Sequence, residues 1–199
     1  SQGAEVGLRF ERARRFNASV AAFWLELDSE LVFVGDAGFT EPNDGTRRKV
    51  LEINTFYQAT SWLALNAMYA TTDAEFKTAL NGGKEIPGAV ENMVNIGANA
   101  AWENGFSASL KLRYLGDSPL VEDNSVQADA SLLVNAGVAY RLGDVELRLD
   151  AFNLLDSNDD DIAYFYASRL PGEPEGGVDD VHFHPLEPRT VRATLTMHW

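Results

Sequence analysis

The 199-residue chain carries a formal net charge of -14, which argues against nucleic acid as a partner because binding phosphate needs clustered Lys and Arg. Its lack of cysteine excludes a disulfide framework and thiolate metal sites. Hydrophobic residues make up 45% of it, yet no apolar run approaches the ~20 residues of a membrane-spanning helix. A β-barrel stays open as a reading, because alternating strands average out their hydropathy. Residues 1–16 contain no apolar leader, so the expectation is a removed signal or a start inside a larger protein.

Alternation of apolar and polar residues predicts nine strands. Residues 2–11 set Val6, Leu8 and Phe10 against Glu5, Arg9 and Glu11. Residues 16–27 set Phe16, Ala18, Val20, Ala22 and Trp24 against Asn17 and Ser19, and the irregular end at 24–27 suggests a change of face at a bulge. Residues 49–58 oppose Leu51, Ile53 and Tyr57 to Glu52 and Asn54; residues 62–71 oppose Leu63, Leu65, Ala67 and Tyr69 to Asn66. Residues 94–102 and 106–114 follow, the first with Asn95 and Asn99 and the second with Lys111 and Arg113 on the polar side. Residues 132–141 and 145–151 repeat the scheme, with Glu146, Arg148 and Asp150 on the polar side of the latter. The ninth, 189–199, sets Val191, Ala193, Leu195, Met197 and Trp199 against Thr190, Arg192, Thr194, Thr196 and His198.

Connections alternate in length. Short turns at 12–15, 59–61, 103–105 and 143–144 alternate with long polar loops at 28–48, 72–90, 116–128 and 154–188. Loops beyond ~12–15 residues are uncommon in compact domains, and sorting them to one end matches short periplasmic turns and long extracellular loops. Phe10, Phe16, Tyr57, Trp62, Trp102, Phe106, Tyr140 and Trp199 fall beside short turns or the C-terminus, where they predict an inner aromatic girdle; Tyr69, Tyr114 and Phe152 fall at the opposite ends. The competing fold is a soluble β-sandwich that buries Leu110, Val134, Leu147 and Leu195 in one core. Strand length favours the membrane: most segments run to about ten residues, near the ~9–11 a membrane strand needs and above the usual ~5–6. The fold class is therefore all-β, an antiparallel transmembrane β-barrel. With nine strands the first and last run the same way and cannot pair antiparallel, so either one strand is missed, making ten, or this is the C-terminal part of a larger barrel.

The stretch Phe16–Val34 (FNASVAAFWLELDSELVFV), the AFNLLD phrase around Ala151 and the closing PRTVRATLTMHW resemble the C-terminal half of a TonB-dependent outer-membrane receptor. Asn153-Leu154-Leu155-Asp156 resembles that family's NLfD signature near the penultimate strand, and the last twelve residues resemble its terminal strand. The resemblance implies a 22-stranded, plugged barrel in the bacterial outer membrane. Residues 1–199 would then be the C-terminal portion of the single barrel domain, with the plug outside this chain. It implies uptake of a scarce ligand such as a ferric siderophore, haem, cobalamin or carbohydrate, and no enzymatic activity. The implied partners are outer-membrane lipid, the small-molecule ligand, the TonB complex through the missing N-terminal part, and the barrel-assembly machinery. That machinery would read the C-terminal strand with Trp199 as its signal. No cofactor is implied.

The last long loop holds the candidate ligand contacts. His182 and His184 share a face in an extended segment and suit a metal or a ligand, though two histidines among aspartates are more simply ordinary loop residues. Tyr164, Phe165 and Tyr166, in the same loop, suit stacking on a ligand or simply continue the strand above the membrane, and Tyr164 and Tyr166 are taken as the candidates. The NDDD run at 158–161 with Asp179 and Asp180 offers hard oxygens for Ca²⁺, but the D-x-D-x-D-G loop is absent and a solvated acidic loop reads better. No metal site is assigned. The rival from another class is a small outer-membrane barrel enzyme of protease or lipase type, using His182 or His184 as a base; no G-x-S-x-G elbow supports it. A soluble binding module is the third reading.

Overall fold

Strands form at all nine expected positions. The computed structural model describes residues 1–34, 39–197 and 199, with 32–34 and 39–43 described by backbone only. In chain order the strands are β1 (Gln2–Arg12), β2 (Phe16–Val34), β3 (Phe39–Gln58), β4 (Leu63–Leu80), β5 (Gly83–Glu85), β6 (Asn92–Ala101) and β7 (Phe106–Leu115). They continue with β8 (Ser118–Pro119), β9 (Gln127–Ala128), β10 (Ser131–Leu142), β11 (Val145–Phe152), β12 (Asp160–Ser168), β13 (Val178–Pro185) and β14 (Thr190–Met197). One antiparallel sheet runs β1-β2-β3-β4-β6-β7-β10-β11-β14, with β5 added beside β4. Among the described residues β1 and β14 each pair on one side only, and they run the same way, so the sheet is an open arc of a barrel. His198 lies outside the described residues.

Register fixes which side chains share a face, because a one-residue slip exchanges the faces. One row of partners runs Phe16, Tyr57, Leu65, Ala98, Leu110, Ala136, Ala151 and Val191. On β2 that row starts beside a short turn; on β11 it has reached the long-loop end. Hydrogen-bonded rows thus climb from the short-turn rim to the long-loop rim on passing from β1 to β14. That stagger is the shear that accompanies strand tilt in a barrel.

The outward face of this row is apolar and uncovered. Leu8, Ile96, Leu110, Val138, Leu147 and Leu195 are between 48% (Leu110) and 78% (Leu8) exposed. The buried apolar residues, Ala74, Phe76, Ile86, Leu120, Ala139 and Ala163, lie instead on the inward face or in the loop segments. A sandwich would have covered the outward leucines, and lipid is the solvent that suits them uncovered. The inner girdle forms as read: Phe10 packs on Phe16 and Phe16 on Tyr57 with centroids 6.1 and 6.2 Å apart, Trp62 stacks on Trp102 at 5.4 Å, and Phe106 meets Tyr140 at 4.5 Å. At the other rim Tyr69 and Tyr114 share the outward face, but Phe152 does not. It partners Thr190 on the inner face and lies under the Arg192 guanidinium at 4.8 Å.

Two expected loops prove to be strand. Residues 28–34 and 39–48 extend the β2–β3 hairpin in one register from Phe16 opposite Tyr57 to Val34 opposite Phe39, passing from Leu27–Thr46 to Ser29–Asp44 without a pair at Asp28, and with no bulge at 24–27. Likewise β4 runs on to Leu80 through the segment expected to be loop from 72. The alternation persists there, but charge replaces the apolar partner. Gln2, Glu26, Arg47 and Glu75 form one cross-strand row on the outward face. Arg47 bonds Glu26 at 2.9 Å and Glu75 at 3.3 Å, and Lys77 reaches Glu26 at 3.3 Å. Opposite charges facing across strands stabilise a ladder much as apolar pairs do. On the inward side of this extension Thr46 and Phe76 are fully buried, and Ala74, Ile86, Leu80 and Ala89 pack there. Segment 81–91 docks on 116–126 through Glu85 N–H to Glu122 O (3.0 Å) and Gly88 N–H to Pro119 O (2.8 Å). Gly83 is required at this contact, since a Cβ there would sit 1.7 Å from the Glu122 carbonyl oxygen.

The NLLD phrase is a clasp at the base of the last loop. Asn153, fully buried and in the left-handed region (φ 47°), accepts from Ser157 N–H and donates to the Ser157 and Glu187 carbonyls. Its own N–H bonds Asn135 Oδ1. Asp156, also left-handed (φ 56°), accepts from the backbone N–H and the guanidinium of Arg189. Both ends of the loop are thereby pinned beside β10, β11 and β14. Asn tolerates positive φ better than other side chains, so one residue type meets both demands.

Two outcomes follow. Asn153→Leu strips the bonding side chain from a buried site and leaves the Ser157 amide and two carbonyls without partners; it should lower barrel stability by roughly 2–3 kcal/mol, read as an earlier loss of the folded band on heated gels. The second concerns pH. Arg47 hydrogen-bonds Glu26 and holds its carboxyl below the usual carboxylate range, with Gln2 and Lys77 adding to the effect and partial burial opposing it. A lowered folded pKa gives stability that is present above the unfolded value and lost as pH falls through the folded one. Amide protection at Glu26, Arg47 and Glu75, corrected for intrinsic exchange, should therefore stay level near neutrality and decline below about pH 4.5. In Arg47→Met that protection should already be low at pH 7.

Candidate functional site

The last long loop is a hairpin, not an irregular segment. Tyr164 stands opposite His182, Ile162 opposite His184 and Tyr166 opposite Asp180 in the β12–β13 register. Side chains two apart on a strand share a face, so all four residues singled out in the sequence, Tyr164, Tyr166, His182 and His184, lie on one side of this hairpin. Ile162 and Asp180 join them there. Tyr166 and His182 are diagonal neighbours with stacked rings, 3.8 Å between centroids and 30° between planes. The His182 Nδ1 lies 3.0 Å from the Asp180 carbonyl oxygen; holding a proton there, it donates to that oxygen and leaves Nε2 open as an acceptor.

The opposite side of the hairpin docks it. Ala163 is buried, and β12 makes contact with β9. Asp161 pairs with Arg113 at 3.1 Å, and the Asp159 carboxylate accepts from Leu132 N–H at 2.8 Å. The acidic run at 158–161 therefore anchors the hairpin to β7 and β10. Among the described residues no three His, Asp or Glu side chains gather closely enough to hold a metal ion.

Below the hairpin the inward face carries a second polar group that the sequence showed only as a list of polar-side residues. Arg148 grips Asp150 through Nε at 2.9 and 3.0 Å and through Nη2 at 2.8 Å, and Arg192 approaches the same carboxylate at 4.0 Å. With Lys111, Asn135, Ser109 and Phe152 they line a cavity of about 230 Å³. Gly137 lies beneath: a Cβ there would come within 2.6 Å of Asp150 Oδ1 and 2.8 Å of Arg148 Nη2. Sequence alternation puts these residues on the polar side, but it cannot show that β10 and β11 bring them to one height. Trp199 lies just past β14 and is fully exposed.

A family model described as TonB dependent receptor-like, beta-barrel matches residues 1–154. The chain belongs to that family. Its members are outer-membrane β-barrels of Gram-negative bacteria, which sets the uncovered outward face of this sheet in that membrane. Solved structures agree on the fold. The ferric-catecholate import receptor Fiu of Escherichia coli K12 aligns with a TM-score of 0.75 at 20% identity, covering 99% of this chain and 27% of its own. The ferric yersiniabactin uptake receptor FyuA of Yersinia pestis gives 0.75 at 14%, covering 98% and 29%. The copper transporter OprC gives 0.66 at 14%, covering 99% and 31%. The chain thus spans under a third of the proteins it resembles. Their named cargoes differ on a shared fold, so the fold by itself does not specify what is carried.

Proposed function

We propose that this chain is the C-terminal part of the barrel of a TonB-dependent transporter for a ferric siderophore, and that the β12–β13 hairpin supplies part of its external binding surface. The observation that carries the reading is the shared face of Tyr164, Tyr166, His182 and His184, on the longest connection at the long-loop rim. Long connections at that rim of an outer-membrane barrel face the medium, where a cargo is first met. Stacked rings suit a flat aromatic or heteroaromatic chelating arm, and an aromatic contact adds about 0.5–1.5 kcal/mol beyond its buried area. Fiu and FyuA, receptors for ferric cargoes on the same fold, support iron over the other cargoes. In this reading a plug precedes Ser1, energy reaches the transporter from the TonB complex through that N-terminal part, and Trp199 with β14 is the segment presented to the assembly machinery. That Fiu and FyuA are uptake receptors and OprC a transporter favours uptake over catalysis.

Binding of ferric tris-catecholate to the full-length receptor, followed by quenching of tryptophan fluorescence, tests this. Tyr166→Ala and His182→Ala should each weaken binding about tenfold, equivalent to about 1.4 kcal/mol, with haem and cobalamin as comparison ligands. Unchanged affinity in both variants sinks the hairpin assignment; tighter binding of haem or cobalamin than of the iron chelate sinks the cargo assignment.

A further inference from the structure

The segment between β4 and β6 folds back as a strap at the long-loop rim. Its buried Ile86 packs with Phe76 and Ala74, and Leu80 and Ala89 close around them. On its far side the strap meets 116–126, where Ser118, Pro119 and Leu120 are also buried. The Glu85 and Gly88 amides hold that contact, and Asn81 Nδ2 adds a bond to Glu122 Oε1 at 3.2 Å. Beyond 126, β9 in turn touches β12 of the aromatic-faced hairpin. One pair opposes this packing. Glu85 stands opposite Glu75 in the β4–β5 register, and like charges facing across strands destabilise a ladder. The nearby cations are engaged elsewhere: Arg47 with Glu75 at 3.3 Å, Lys49 with Asp73 at 2.8 Å, and Lys77 with Glu26 and Asp28. Lys84 alternates to the other face of β5. Segment 116–126 brings only further carboxylates, Asp117, Glu122 and Asp123. Among the described residues no cation pairs with Glu85 or Glu91.

A strap held by backbone bonds and one apolar anchor, and opposed by an unpaired carboxylate, is only as firm as that carboxylate allows. We propose that 81–91 is an acid-tightened strap: a proton taken up at Glu85 cancels its repulsion with Glu75, Asp73 and Glu91 and holds 81–91 on 116–126. Through β9 the same event steadies the β12–β13 hairpin. In neutral medium the charged Glu85 loosens the contact. Burial raises the Glu85 carboxyl above the usual carboxylate range, with Glu91, Asp73 and Glu75 adding to the effect. A raised folded value gives stability that is full below the unfolded value, about 4.5, and lost as pH rises through the folded one. The sign is opposite to that of the Glu26–Arg47 pair, which weakens in acid. The inference rests on the long-loop rim facing the medium and not on the cargo, so failure of iron-chelate binding leaves it standing.

Hydrogen exchange of the full-length receptor in detergent without cargo, read by mass spectrometry at about pH 5 and about pH 7.5 and corrected for intrinsic rates, tests it. Peptides covering 84–89, which carry the Glu85 and Gly88 amides, should be several-fold more protected at the lower pH. Peptides from β12 should change in the same direction, and those from β10 and β11 in the spanning wall should not change. Glu85→Gln keeps the size and removes the charge, so its strap should show the acid level of protection at both pH values. Gly83→Ala, whose Cβ would strike the Glu122 carbonyl, should lose that protection at both. Equal protection of 84–89 at the two pH values in wild type, or the wild-type pH dependence persisting in Glu85→Gln, overturns the inference. Wild-type protection in Gly83→Ala overturns the strap contact itself, and an unchanged β12 overturns the extension to the hairpin.

Discussion

Everything in this molecule depends on pairing each strand's backbone with its neighbour where no water can substitute. Inside a bilayer an unpaired N–H or C=O costs several kcal/mol, and strands escape that cost only by lying side by side in one continuous register. The unbroken partnering from β1 to β14 is the response to that demand. Once register is fixed, alternation does the rest: one face must suit lipid, and the other is released to carry Arg, Lys, Asp and Asn. The glycines at 97 and 137 belong to the same logic, since on the crowded inward face they leave room for Asn66 and for the Arg148–Asp150 pair.

The same pairing rule holds above the membrane with different side chains. Where lipid ends, the β2–β3 and β3–β4 ladders continue, and the outward residues become Glu26, Arg47, Glu75 and Lys77. Apolar burial is replaced by ion pairs across strands, and a small inward core around Phe76 and Thr46 supports them. The wall therefore rises beyond the bilayer as an ordered sheet. On the other side of the arc the wall stops at the rim, and the Asn153 and Asp156 clasp launches a separate hairpin from it. The two devices give the long-loop end a rigid flank and a docked, aromatic-faced arm.

Legibility in the sequence followed this chemistry. The nine spanning segments could be read because lipid enforces apolar residues at alternate positions, and the inner girdle could be read because short turns mark its height. The tall extensions could not, since a search for apolar alternation ends where charge takes over: Arg47 and Glu75 look like loop residues until they are known to face each other. Phe152 illustrates the reverse error. Its place near a strand end suggested a girdle ring, but it lies one residue out of phase with Leu147, Leu149 and Ala151, and it points inward to Arg192.

The sequence by itself determined the nine spanning strands, the lipid-facing side and the family, because each rests on local period or on a contiguous motif; it also named the four ring-bearing residues of the last loop but not the hairpin that carries them. Only the tertiary structure decided that those four residues share a face, that NLLD is a clasp holding Arg189, and that Glu85 stands opposite Glu75. Those facts depend on which residue of one strand stands opposite which residue of the next. Partnering between strands is a relation over distance along the chain, and no single segment carries it.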